Sequence, residues 1–221
     1  MIKALIFDFD GLILDTETPE FTTWQNIYRE NGYEFPAEKW AAIVGGSGHV
    51  DFDPAEHLSL LLEGRLDSRS LRDRFLFQSK ALIHSLEPLP GVLDYLNEAG
   101  RLGLKLAIAS SSPRSWVVPH ARRIGVYRFF DHVVTREDVG PGRTKPNPDL
   151  FLTALGRLGV PKEAAIVFED SPNGVKAARQ AGIFVVAVPN ELTSSFPLDH
   201  ADLILGSLLD MPLPILLDKV K

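Results

Sequence analysis

The chain has 221 residues, 45% hydrophobic and 24% charged, with a formal net charge of −6 and no long basic block; this is typical of a globular protein and argues against nucleic acid as a partner. It has no cysteine, which excludes disulfides, thiol nucleophiles and thiolate metal sites. The first apolar run is too short for a signal peptide or a membrane span, so we expect a cytoplasmic protein with no membrane partner.

The first predicted element is a buried strand with acidic residues at its end. Ala4-Leu5-Ile6-Phe7 is a short apolar run that stops at Asp8, with Asp10 and Gly11 close behind. Residues two apart in an extended chain point the same way, so Asp8 and Asp10 are expected together. Open α/β sheets bind ligands at this end of their strands, although the same pattern alone also suits two solvated loop residues.

Residues 17–86 show helical spacing and no convincing strand, which predicts a small all-helical insert after the first strand. The predicted helices cover 15–32, 37–43, 54–63 and 68–86, with a glycine-rich loop near residues 45–49. The predicted domain boundaries give an α/β core of residues 1–16 and 87–221 and a helical insert of residues 17–86.

From residue 91 onward, strands alternate with helices, which predicts a Rossmann-like, doubly wound parallel sheet of the α/β class. Further strands are predicted at 104–109, 132–135, 165–168, 184–188 and 203–205. A loop is predicted at 136–146, with Asn147-Pro148 capping the helix that follows it. The tail from residue 208 is predicted as an ordered terminal helix.

Polar side chains follow several of these strands. Asp8 and Asp10 follow the first, Ser110 the second, and Glu169-Asp170 the fourth, while Lys145 lies in the loop after the third. We expect them to converge at one edge of the sheet, because the carboxyl ends of parallel strands meet there.

Oxygen ligands without histidine or cysteine favour Mg²⁺. Ser110, the backbone N–H groups beside it and Lys145 suit a bound phosphate, and a carboxylate can act as a nucleophile. Taken singly, Lys145 also suits a surface lysine, Ser110 a helix cap, and Glu169-Asp170 a helix amino terminus.

The chain lacks the motifs of several other enzyme classes. The chain has no G-x-S-x-G sequence, so Ser110 is not expected to be a serine-hydrolase nucleophile. It has no G-x-x-x-x-G-K-[ST] and no G-x-G-x-x-G, which argues against ATP and dinucleotide binding.

Four stretches together resemble the motifs of the haloacid dehalogenase superfamily, in that family's order. They are D-F-D-G-L-I-L-D-T-E at 8–17, A-S-S-S at 109–112, K-P-N-P-D-L-F at 145–151 and F-E-D-S-P-N-G at 168–174. With its helical insert, the chain resembles the branch near β-phosphoglucomutase and phosphoglycolate phosphatase, which implies that residues 17–86 are a small all-helical cap domain inserted after the first strand. The resemblance implies that Asp8 takes up the phosphoryl group and that Asp10 is the general acid and base.

The resemblance also assigns the ligand-binding residues. It implies that Ser110, with Ser111 beside it, and Lys145 bind phosphoryl oxygens. It implies a Mg²⁺ site formed by Asp8, the main-chain carbonyl of Asp10, Asp170 and Glu169. Dehalogenases of the superfamily usually lack the second aspartate of D-x-D, so its presence favours phosphate chemistry.

Two departures from β-phosphoglucomutase bear on the reaction. Its cap supplies a histidine where this chain has Glu20, and an arginine near Gly48 that this chain lacks. These cap residues grip the second phosphate of a bisphosphate, so their absence favours water as the acceptor. The loop at 140–144 is also about two residues longer than usual, which leaves the reach of Lys145 open.

The cap is expected to determine substrate choice. Its candidate contacts, each with surface exposure or packing as the alternative, are Glu17, Glu20, Trp24, Gly45, Gly46, Ser47, His49, Lys80 and His84.

Three functions are compatible with the sequence. The first is a Mg²⁺-dependent phosphatase of a small phosphate ester, a sugar or polyol phosphate, acting through an aspartyl-phosphate. The second is a phosphomutase with the same nucleophile, and the third is a non-catalytic sensor of a phosphorylated ligand. We expect a monomer or a weak homodimer. Its expected binding partner is a small-molecule phosphate ester, the substrate.

Overall fold

The structure, a computed structural model, describes residues 1–41 and 52–220. Its centre is a six-stranded sheet in which every pair of neighbouring strands is parallel, in the order β3-β2-β1-β4-β5-β6. The strands are β1 (Ala4–Phe7), β2 (Lys105–Ala109), β3 (His132–Val134), β4 (Ala165–Glu169), β5 (Phe184–Ala187) and β6 (Leu203–Ile204). The predicted α/β class and doubly wound parallel sheet are confirmed.

Helices cover both faces of the sheet and form the insert after β1. Those of the insert are α1 (Glu17–Glu30), α2 (Ala37–Ala41), α3 (Pro54–Leu61) and α4 (Ser68–His84). Those of the core are α5 (Val92–Arg101), α6 (Arg114–Arg123), α7 (Arg136–Val139), α8 (Asp149–Leu158), α9 (Pro172–Ala181) and α10 (Leu213–Lys219). The inserted helical cap is thus present as predicted, and its boundaries at 16/17 and 86/87 stay predictions.

Alternation along β1 builds a core on each side of the sheet. Leu5 and Phe7 pack into one hydrophobic cluster, while Ala4 and Ile6 pack into the other. Phe7 also stacks on Phe168 of β4, with ring centroids 4.7 Å apart. With both of its faces covered, β1 is buried along its whole length, and this fixes the position of the residues that follow it.

The cap has an aromatic core of its own, formed mainly by α1, α3 and α4. Its buried members are Trp24, Ile27, Tyr28, Trp40, Ala55, Leu58, Leu62 and Leu71. No helix in the described ranges is both long and apolar enough to cross a membrane.

Three local predictions need correction. The segment predicted as a loop at 136–146 begins with helix α7, because the Asp138 carboxylate accepts a 2.8 Å hydrogen bond from the Thr135 backbone N–H and caps the turn. Asn147 does not cap α8, since its side-chain amide donates to the Gly142 carbonyl instead. The tail is not one helix, because a 3-10 turn at Leu208–Asp210 is separated from α10 by Pro212.

Candidate active site

The sheet reverses its strand order at β1, which has β2 on one side and β4 on the other. Phe7 pairs with Phe168, so the residues that follow, Asp8 and Glu169, come side by side. A backbone hydrogen bond of 3.0 Å from Asp8 N–H to the Phe168 carbonyl continues the pairing to this point. Such a switch point opens a crevice at the carboxyl edge of the sheet, where α/β proteins bind ligands.

Three carboxylates meet in that crevice. Asp8, Glu169 and Asp170 are all buried, and each offers an oxygen within 4.8 Å of the others. Lys145 supplies the one ammonium group in ion-pair contact with them among the described residues: its Nζ contacts Asp8 Oδ1 and lies 2.5 Å from Glu169 Oε1. The longer loop before Lys145 therefore does not keep it from the site.

The charges of this cluster do not balance. Three buried carboxylates face one ammonium group, and Asp170 Oδ1 is buried with no hydrogen-bond partner in the described part of the chain. A buried charge is costly unless it is paired or coordinates a metal. A set of oxygen ligands fits a hard divalent cation, so the residues present suit Mg²⁺.

The pKa shifts show the same imbalance. Burial, and then the charge of Glu169, raise the pKa of Asp8 to about 8, although Lys145 acts in the opposite direction. Burial, followed by the charges of Glu17 and Glu169, raises the pKa of Asp170 well above its ordinary value. Burial works against the charge of Lys145, but the adjacent carboxylates outweigh it and raise its pKa. A second cation at the site would relieve this repulsion.

Close backbone approaches hold the carboxylates in place. Gly11 has a φ of +81°, and a Cβ there would overlap the Asp170 carboxylate. Asn190 Nδ2 donates to Asp170 Oδ2 at 3.0 Å and to the Gly11 carbonyl at 3.1 Å. Asn190 was not predicted as a site residue, although it lies shortly after β5 and the other site residues were predicted from their places after strands.

Side-chain hydrogen-bond donors hold both oxygens of the Asp10 carboxylate. Its Oδ1 accepts from Thr16 Oγ1 at 2.8 Å and from Trp116 Nε1 at 2.7 Å. Its Oδ2 accepts from Ser112 Oγ at 2.7 Å and from Ser110 Oγ at 3.2 Å. Thr16, Ser112 and Trp116 were not predicted as site residues, although Thr16 and Ser112 lie within the haloacid dehalogenase-like motifs at 8–17 and 109–112.

The first helix of the cap adds two acidic residues to the site. Glu17 is 7% exposed, and burial, then Asp10 and Asp8, raise its pKa well above the ordinary value. Burial, and then the charge of Asp10, raise the pKa of Glu20 to about 8. Both carboxyls therefore lie close enough to the catalytic candidates to interact with their charges, and their contact with substrate stays a prediction.

Other predicted contacts lie elsewhere. Trp24 packs in the core of the cap, stacked on Phe75 with a centroid separation of 4.5 Å, so the structure assigns it a packing role rather than the predicted ligand contact. Lys80 and His84 are exposed on α4, and Ser111 is buried beside Ser110. The predicted loop contacts Gly45, Gly46, Ser47 and His49 lie outside the described residues.

This fold and this arrangement of acids define the class of the protein. The model of the family described as haloacid dehalogenase-like hydrolase matches residues 5–188, and the chain belongs to that family. The resemblance found in the motifs is thus confirmed.

Two similar proteins are named as phosphatases. The chain is 42% identical to "Putative phosphatase YhcW" of Bacillus subtilis (strain 168), over 99% of this chain and 97% of that protein. It is 32% identical to "Phosphorylated carbohydrates phosphatase" of Thermotoga maritima, over 82% of each chain. The predicted enzyme class, a hydrolase of phosphoric monoesters, is confirmed at this level.

The fold also occurs in a solved structure of β-phosphoglucomutase from Clostridium difficile. The two structures match with a TM-score of 0.73 over 100% of this chain and 97% of the other, at 23% sequence identity. At that identity the match concerns the fold, including the helical insert.

Proposed function

We propose that this protein is a Mg²⁺-dependent phosphatase of a small sugar or polyol phosphate, acting through an aspartyl-phosphate on Asp8. The observation that carries the proposal is the buried cluster in which Asp8 contacts Lys145 beside Glu169 and Asp170. A relative named for phosphorylated carbohydrates supports the substrate class.

In this mechanism Asp8 and Asp10 divide the chemistry. A carboxylate oxygen of Asp8 bonds to phosphorus as the bond to the substrate's alcohol oxygen breaks, and Asp10 gives that oxygen its proton. Water then attacks phosphorus and gives a proton to Asp10, while the Asp8 oxygen leaves. Asp10 ends protonated and Asp8 ends as a carboxylate, so the cycle is balanced.

The phosphoryl group would be held by donors that the structure gathers near Asp10. Ser110 and Ser112 direct their hydroxyl groups to Asp10 Oδ2. We assign phosphoryl contacts to Ser110, Ser111 and Lys145. An ammonium group and backbone N–H groups stabilise the negative charge that develops on the transferring oxygens.

The same cluster provides ligands for Mg²⁺. We assign Asp8, Asp170 and the main-chain carbonyl of Asp10 to the ion, with Glu169 supporting them, since the unpartnered Asp170 Oδ1 is available for coordination. When bound, the ion offsets negative charge on the phosphoryl group and on the carboxylates.

Glu20 favours phosphatase over mutase activity. A mutase must bind the second phosphate of a bisphosphate near its cap, and Glu20, whose pKa is raised by burial and then by the charge of Asp10, stands where the resemblance puts a histidine. A carboxyl group there supplies no positive charge to hold a second phosphate, but it forms hydrogen bonds with sugar hydroxyls. We therefore assign Glu17 and Glu20, in a cap of residues 17–86, to a neutral polyol portion of the substrate.

The proposal is tested by release of inorganic phosphate from sugar, polyol, glycolate and nucleotide monophosphates, with Mg²⁺ or with EDTA. We expect Mg²⁺-dependent release from the sugar and polyol esters, and its loss in Asp8→Asn. The exposed Asp94→Asn on α5 is the isosteric control and should retain activity. Isomerisation that needs a bisphosphate primer and releases no phosphate would establish the mutase, and binding without any turnover would establish the sensor.

A further inference from the structure

The donors to the two oxygens of Asp10 differ in one respect: Oδ1 accepts from the indole N–H of Trp116 as well as from the hydroxyl of Thr16. Ser110 and Ser112 donate to Oδ2 through hydroxyl groups, which rotate and can turn to another acceptor such as a phosphoryl oxygen. The indole N–H of Trp116, which donates to Oδ1, is fixed in the plane of a large ring and cannot turn without moving that ring. Oδ1 is therefore anchored, while Oδ2 can exchange its partners.

Trp116 is itself held by its neighbour one turn along α6. Its ring lies 4.4 Å from the ring of His120, centroid to centroid, at an angle of 58°. Burial, and then the charge of Arg123, lower the pKa of His120, which favours the neutral imidazole. A neutral ring packs against the indole and restricts its rotation.

The same helix reaches the connection between the cap and the core. Arg123 donates to the Leu86 carbonyl at 2.8 Å and to the Ile83 carbonyl at 3.1 Å, where α4 ends and the chain returns to the core. Positions 116, 120 and 123 follow the spacing of one helix face. Helix α6 thus connects Asp10 at one end with residues 83–86 at the other.

We propose that Trp116 is a positioning residue for Asp10. By fixing Oδ1, Trp116 leaves Oδ2 directed toward the oxygen of the leaving alcohol or of the attacking water. Helix α6 links this placement to residues 83–86, between the cap and the core, through Arg123. The inference rests on the proposed function, because it takes Asp10 as the general acid and base. It assigns a role to a tryptophan that contacts the side chain of Asp10 and the ring of His120.

The first test uses Trp116→Phe, which keeps an aromatic ring against His120 but removes the N–H donor together with part of the indole ring. Substrates are an alkyl phosphate that the wild-type enzyme hydrolyses and p-nitrophenyl phosphate. The alkyl alcohol leaves poorly without a proton, whereas p-nitrophenolate leaves without one. We expect kcat/KM to fall roughly 10- to 100-fold for the alkyl ester, as for a lost hydrogen bond to a charged group, with KM nearly constant.

For p-nitrophenyl phosphate the same variant should lose less than about 3-fold in kcat/KM, because protonation of the leaving group matters little there. Trp40→Phe in the cap core is the matched control, since the Trp40 N–H finds no partner among the described residues. Equal losses on both esters would overturn the proposal and leave Trp116 a structural residue. A wild-type enzyme inactive on both esters would instead refute the proposed function.

The second test addresses the link through α6. Arg123→Met removes both hydrogen bonds, to the Leu86 and Ile83 carbonyls, and keeps the aliphatic packing. The control is Arg122→Met, because Arg122 is an exposed neighbour whose guanidinium lies over the Tyr127 ring. If Trp116 and Arg123 act on Asp10 by one route, the double variant should lose little more kcat/KM on the alkyl ester than the more impaired single variant. Losses that multiply would overturn the link between the connection and Asp10.

Discussion

Lys145 Nζ lies 2.5 Å from Glu169 Oε1, and both side chains are almost completely buried. Because Nζ also contacts Asp8, this one ammonium group partly offsets three buried carboxylates. Lys145→Met leaves them unpaired, and breaking a buried ion pair from one side costs about 3–5 kcal/mol. We expect a much lower free energy of unfolding in urea and a loss of phosphatase activity of at least about 100-fold.

The exposed Lys176→Met on α9 provides the control, because it removes an equal charge without uncovering a buried carboxylate. Adding Mg²⁺ should restore part of the lost stability in the Lys145 variant, since the ion supplies positive charge at the same point. Unchanged stability in the Lys145 variant would show that the carboxylates are not charged together in the folded protein.

Mg²⁺ binding is expected to stabilise the folded protein directly. A ligand that binds only the folded state stabilises it by about 2.7 kcal/mol at 100 times its Kd, so the melting temperature should rise with Mg²⁺ and return with EDTA. Asp170→Asn should abolish that rise, because Asp170 provides the unpartnered oxygen. Sodium chloride at equal ionic strength controls for screening, and an equal rise with either salt would count against a specific ion site.

Gly174 in α9 allows a test in which helix propensity and the geometry of the site predict opposite effects on stability. A Cβ on Gly174 would overlap the Glu169 carboxyl group, so Gly174→Ala must displace a side chain of the charged cluster. We expect lower phosphatase activity and lower stability, although alanine favours helices by about 1 kcal/mol over glycine. The control is Gly156→Ala in α8, where a Cβ meets nothing within 4 Å and stability should rise. A stabilised, fully active Gly174→Ala would contradict the close approach.

Sequence patterns found most of the site because its residues follow strand ends. Asp8, Ser110 and Glu169 could be placed at one edge from strand order alone, and the sheet brings them together there. Trp116 escaped notice because its contact with Asp10 spans 106 residues and depends on the side chain's direction from α6.

Sequence reasoning failed differently for Trp24 and for α7. The position of Trp24 on α1 was correct, but periodicity does not distinguish a residue facing a ligand from one facing the core of the cap. The glycines and prolines at 140–146 suggested a loop, and they hid the short capped helix that precedes them.

Glu20 should make stability depend on pH. Burial, and then the charge of Asp10, raise its pKa from an ordinary 4.5 to about 8, so the folded state favours the protonated carboxyl. The stability that the protonated Glu20 contributes is therefore lost progressively as the pH rises from about 4.5 through about 8, because over this range Glu20 ionises in the unfolded chain but not in the folded protein. Glu20→Gln cannot ionise, so its melting temperature relative to wild type should be higher at pH 8.5 than at pH 5. The exposed Glu34→Gln should show no such trend, and a constant difference for Glu20→Gln would disprove the shift.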